Sequence, residues 1–147
     1  MPDASDARVA GALSVAYMMA IAGKVLRTFP LDFLDLLLVT TIANFNTAPS
    51  ASAPAKKRRP AKYAAPAVRI GISRNAVSRA LNVPLETVRR RVAGLIRQGV
   101  LLEQSDGLAF APDNPIGLGN NAELNAFNLE MLRVLFRGLK ANGIKLD

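Results

Sequence analysis

The chain has 147 residues, half of them hydrophobic, with a net charge of +8 and neither cysteine nor histidine. That composition excludes disulfides, thiolate chemistry, the usual zinc ligand sets and the Ser-His and Cys-His nucleophile pairs. It is also too apolar for a wholly disordered chain, and no catalytic residue, metal or cofactor is expected.

The charge is concentrated. Lys56 to Arg97 holds twelve Lys/Arg and a single acid, Glu86, for a balance of +11, between flanks of −1 and −2. Such a block attracts polyanions through counterion release and electrostatic steering.

A first helix is expected to about Arg27, capped by Asp3 or Ser5, with Val9, Leu13, Ala16, Tyr17, Ala20, Ile21, Lys24 and Val25 at helical spacing. Its apolar run, Val9 to Gly23, is shorter than the roughly 18–20 residues that span a bilayer. Asp3 and Asp6 precede it where a signal peptide would be basic. It therefore reads as a buried helix of a soluble protein, and no membrane partner is expected. After Pro30 a second helix is expected from about Leu31 to Asn46, with Phe33, Leu34, Leu37, Leu38, Thr41 and Ile42 facing inward.

Residues 47–67 are rich in Ala, Pro, Ser and Lys/Arg without hydrophobic period, and read as a flexible basic linker. Lys56, Lys57, Arg58, Arg59 and Lys62 would form a basic arm that adds to polyanion affinity. A short strand is expected over Val68 to Ile72. A helix follows to Leu81, with Ser73 as its N-cap, then a turn at Asn82-Val83-Pro84. A longer helix runs from about Pro84 to Gln98, stopped by Gly99. Val100 to Glu103 and Leu108 to Ala111 read as two strands joined at Ser105-Asp106-Gly107. A last helix spans about Asn121 to Ala141, with Leu124, Phe127, Met131, Leu132, Leu135 and Leu139 on one side and Gly143 after its end.

The order strand, helix, tight turn, basic helix, hairpin is the pattern of a winged helix-turn-helix. In ISRNAVSRALNVPLETVRRRVAGLIRQGVLLEQSDGLAF, Ala76 is small at a helix crossing, and Val77, Ala80 and Leu81 face inward. Val83 plugs the turn, Val88, Val92, Leu95 and Ile96 form the inner stripe of the long helix, and Leu101 carries the core into the wing. This segment resembles the winged helix-turn-helix of bacterial regulators of the MarR and ArsR families. The resemblance covers about forty residues. It implies a mainly α fold: a three-helix core with a small β-hairpin wing at 68–112, plus flanking N- and C-terminal helices at 1–46 and 120–143 that form a dimer platform.

It also implies a function: a sequence-specific, homodimeric regulator bound to double-stranded DNA in the cytoplasm of a bacterium, at the nucleoid. At about 100° per residue, Val88, Val92 and Leu95 mark the buried side of the long helix, and Arg90 lies nearly opposite. With this helix in the major groove, Leu85, Glu86, Thr87 and Arg90 face base edges and Arg89 and Arg91 face phosphates. Arg74, Asn75, Ser78 and Arg79 on the preceding helix are placed for the DNA backbone. Two features depart from the pattern. Pro84 stands where a capping Ser or Thr is common, and the wing tip carries Asp106 and no base. The basic arm would then take over the wing's minor-groove role. A small-molecule effector is compatible with the resemblance, but no buried charged cluster marks its site. The alternative class is a winged-helix module that binds a protein partner or a membrane surface without reading DNA. An enzyme is not expected, because Gly117 and Gly119 lack the strand-to-helix context of a phosphate loop.

Overall fold

A computed structural model describes residues 3–52 and 70–146 of the chain, with side chains over 3–47 and 70–146. Among these residues the fold is mainly helical, with one small antiparallel sheet. The elements are α1 (Ala4–Thr28), α2 (Phe33–Ser52), α3 (Arg74–Leu81), α4 (Leu85–Arg97), β1 (Leu101–Gln104), β2 (Gly107–Phe110) and α5 (Ala122–Ala141). They form two compact units, residues 1–29 with 121–147, and residues 30–120. The second helix therefore groups with the hairpin, whereas the sequence had suggested grouping it with the N-terminal segment. It also continues through Thr47–Ser52, where a linker was expected. The basic arm Lys56, Lys57, Arg58, Arg59 and Lys62 lies outside the described residues.

In the unit of residues 1–29 and 121–147, α1 and α5 lie antiparallel. Asp3 caps α1 and Asn121 caps α5, each side chain accepting a first-turn amide. Leu13 sits against Gly138, where a Cβ would lie 2.9 Å from the leucine methyl. Tyr17 donates to Asn128. Lys24 reaches Glu123 at 2.7 Å and lies 5.6 Å from the Phe127 ring centre. The ammonium of Lys24 holds the Glu123 carboxyl below its ordinary range.

The expectation that the first apolar run is buried does not hold: Val25 is the buried residue of α1. One side of α1 meets α5, and Val15, Met18 and Met19 on the other are more than half exposed. The helix is 25 residues long with a mean hydropathy of 1.7 over its most apolar window, long and apolar enough to cross a membrane by length and composition.

In the unit of residues 30–120, α2, α3 and α4 pack around Leu38, Ile42, Val77, Val88, Val92 and Leu95. Burying aliphatic side chains of this size contributes about 1.5–3 kcal/mol each. The inward stripe of α2 differs from the expected one. Leu36, Val39 and Asn46 are buried, and Phe33 is 48% exposed. Ala80, expected inside, is exposed, and Val77 is the buried residue of α3.

The turn between α3 and α4 is closed by Asn82 in the left-handed region, at φ 52°. The Val83 amide donates to the Ser78 carbonyl at 3.1 Å, and the Ser78 hydroxyl donates to the Val83 carbonyl at 2.6 Å. β1 and β2 pair from Leu101 with Phe110 to Gln104 with Gly107. Of the expected strand ending at Ile72, the structure shows one antiparallel bridge, Ile72 with Leu108.

Beside this bridge, two side chains hold the chain from Ile70 against the hairpin. Asn46 is 3% exposed; its amide nitrogen donates to the carbonyls of Ile70 (2.6 Å) and Leu108 (3.1 Å), and its oxygen accepts the Phe110 amide at 2.9 Å. At the tip, the Asp106 carboxylate accepts the Gly71 amide at 2.9 Å and the Gln104 side chain at 2.8 Å. These donors, the Gly71 amide first, hold the Asp106 carboxyl below its ordinary range.

The backbones at this crossing leave no room for a side chain. A Cβ on Gly107, at φ 133°, would lie 2.7 Å from the Ile72 carbonyl oxygen. Gly117, at φ 75°, has open space around the same position. Gly107→Ala is expected to cost about 2–4 kcal/mol and Gly117→Ala about 1 kcal/mol in urea unfolding. Equal losses would show that the crossing yields easily.

Candidate nucleic-acid interface

The outer faces of α3 and α4 carry most of the described positive charge of residues 30–120. Helical spacing on α4 sets Val88, Val92 and Leu95 inward, so Arg90 and Arg97 project away from the core and are exposed. Glu86 and Arg89 are exposed beside them and form an ion pair across one turn. Leu85 and Thr87 are half-buried in the first turn. Pro84 is the N-cap residue and contributes no capping hydrogen bond. On α3, Asn75 and Arg79 are exposed.

Ten residues were expected to touch DNA, and the structure divides them. Arg79 and Arg90 have no ion-pair partner among the described residues, and Arg97, on the same outer half of α4, has none either. Arg74 is paired with Glu103 on the hairpin. The Ser78 hydroxyl closes the α3–α4 turn. Arg91, expected at a phosphate, is tied within the fold to Asp32 and, at 3.6 Å, to Asp35.

That tie is an acid pair at the start of α2, fifty-six and fifty-nine residues from Arg91 in sequence. Asp32 accepts the Asp35 amide at 2.8 Å, closing the first turn of α2, and also accepts Arg91. The backbone amide of Asp35 and then the guanidinium hold the Asp32 carboxyl below its ordinary range. Burial, and then the neighbouring Asp32 charge, push Asp35 up. Arg91 is held further in its charged form, chiefly by the Asp32 hydrogen bond. Arg91 thus links α4 to α2. Nothing local in the sequence signals this, since the partners meet only in the fold.

A second surface on the same unit is an open groove lined by Thr40, Thr41, Asn44, Phe45, Ile72 and Ala80. Among the described residues its walls carry no charged side chain. Among the described residues no cluster of acids could hold a metal ion.

Comparison of the chain with protein-family models, with curated proteins and with solved structures finds no match.

Proposed function

We propose that this chain is a non-catalytic, sequence-specific regulator that binds double-stranded DNA as a homodimer. In this reading α2, α3 and α4 form the three-helix core of a winged helix-turn-helix of the MarR/ArsR kind, and β1–β2 is its wing. α4 enters the major groove. Arg90 donates to a base edge, guanine by preference, and Arg79, Arg89 and Arg97 approach phosphates. A bacterial cytoplasm, at the nucleoid, is the setting that goes with this activity.

One observation carries the reading. Arg79, Arg90 and Arg97 stand on the exposed faces of two helices that meet at a tight, hydrogen-bonded turn, and no acid among the described residues neutralises them. A merely solubilising surface has no need of unpaired guanidinium groups gathered at this place. The turn fixes the angle between the helices, which is what a groove demands.

The test is selection of bound duplexes from a random-sequence library by the full chain, with a salt titration of the affinity. A two-fold symmetric selected site and a steep salt dependence support the proposal. Equal, salt-sensitive affinity for every sequence means a general DNA-coating role. No binding at low salt rejects DNA as the partner.

The apolar character of α1 favours one other reading, a scaffold at a membrane surface. Flotation of the protein with anionic vesicles, together with no selected DNA site, would establish it instead.

A further inference from the structure

Residues of α1 that touch α5 (Leu13, Tyr17 and Lys24) fall on one side of the helix. At about 100° per residue, Gly11, Val15, Met18, Met19 and Ala22 fall on the opposite side, with Ala12 at its edge. This side is bare over its middle. Val15 and Met18 are each 56% exposed and Met19 is 53% exposed. A Cβ placed on Gly11 would meet nothing within 4 Å. No charged residue occurs between Val9 and Gly23.

The order of sizes on this face identifies what covers it. Counted from Val15, the residues three and four positions earlier are Ala12 and Gly11, and those three and four positions later are Met18 and Met19. A face that ran evenly apolar would suit lipid or any apolar helix. Between Gly11 and Met19 the face is flat at one end and tall at the other, and such a stretch is complementary to itself when inverted.

We infer that α1 packs against α1 of a second copy of this chain, antiparallel, with the two-fold axis passing at Val15. In that register Met19 of one copy lies over Gly11 of the other, Met18 lies over Ala12, and the two Val15 side chains meet on the axis. The two off-axis contacts each occur twice and the one on the axis once, as isologous symmetry requires. Small residues let two helices approach to the lower end of the 8–10 Å range, and methionine fills the remaining irregular space.

Antiparallel pairing also opposes the two helix dipoles. A parallel pair would set methionine on methionine and glycine on glycine. The inference rests on the homodimer in the proposed function and names its surface; it does not depend on DNA binding.

The chain has no cysteine, so introduced ones report without background. Under mild oxidation, full-length Val15→Cys is expected to form a disulfide-linked dimer at least about tenfold faster than Ser105→Cys in the hairpin turn, since a disulfide needs Cβ atoms about 4 Å apart. Ala12→Cys and Met18→Cys should link quickly when mixed and slowly when each is alone. Wild type should sediment at twice 15.7 kDa, and Val15→Arg at 15.7 kDa. The cysteine variants are mild, so the question stays answerable if Val15→Arg fails to fold.

A wild-type dimer in which Val15→Cys links no faster than Ser105→Cys would overturn the α1 pairing and leave the dimer intact. A wild-type monomer at tens of micromolar with no fast linking would overturn both. Fast self-linking of Ala12→Cys and Met18→Cys would mean a parallel pair and overturn the register. Flotation of wild type with phosphatidylglycerol vesicles, without fast linking, would mean that lipid covers this face and would also overturn the inference.

Discussion

Asn46→Leu is expected to lower the unfolding free energy by about 2–4 kcal/mol, read as a lower urea midpoint at unchanged slope. The leucine fits the volume, so the loss comes from hydrogen bonds and not from a cavity. Asn46 is buried on α2 and makes three bonds, two to carbonyls at Ile70 and Leu108 and one to the amide of Phe110. It thereby joins a helix, the entering chain and the hairpin at one point. An amide is required there, because only a group with both donors and an acceptor satisfies two carbonyls and an N–H together.

Asn46→Asp keeps the acceptor and presents a charge to two carbonyl oxygens. Its carboxyl would titrate above the ordinary range in the folded state. The folded state would then bind more protons than the unfolded one, and stability would fall as pH rises through that raised value. The aspartate variant should therefore be closer to wild type at pH 4 than at pH 7. A loss below about 1 kcal/mol for Asn46→Leu, the worth of a single ordinary bond, would show that the three groups find other partners.

Arg90→Ala is expected to weaken binding to the selected DNA site by about 10- to 100-fold, the worth of one bidentate base contact, and to relax the preference at one base pair in each half-site. Stability should hardly change, since the side chain is exposed and without an ion pair among the described residues. Arg91→Ala should do the reverse. It removes the link from α4 to Asp32 and Asp35, so unfolding should shift, while DNA affinity should fall less than for Arg90→Ala. Comparing affinities and urea midpoints of the two variants separates a reading residue from a positioning one. Equal affinity losses would mean that the acid pair releases Arg91 to the phosphates on binding.

Much of the architecture is local and was legible in the chain. Ser73 and Asn121 are helix caps because their short side chains reach the amide three residues on, and that geometry depends only on neighbours. The inward set Val88, Val92 and Leu95 follows from the 3.6-residue repeat, and with it the outward direction of Arg90. Ser105-Asp106-Gly107 announced the hairpin, since Gly107 takes a φ that other residues avoid. Strand limits moved by one residue, which alternation over four positions does not resolve.

What the tertiary structure decided concerns partners distant in sequence. Three consecutive arginines on α4 look alike in the chain. Arg89 meets Glu86 one turn away on the same helix, whereas the fold takes Arg91 into an acid pair from α2 and leaves Arg90 exposed. Asn46 looked like the last polar residue of a helix, and only the approach of Ile70 and Leu108 makes it a buried junction. The apolar run of α1 looked like core. Its 3.6-residue repeat supplies two apolar sides, and α5 covers one of them. Periodicity states which residues share a face; what each face meets is set by chain segments that periodicity does not contain.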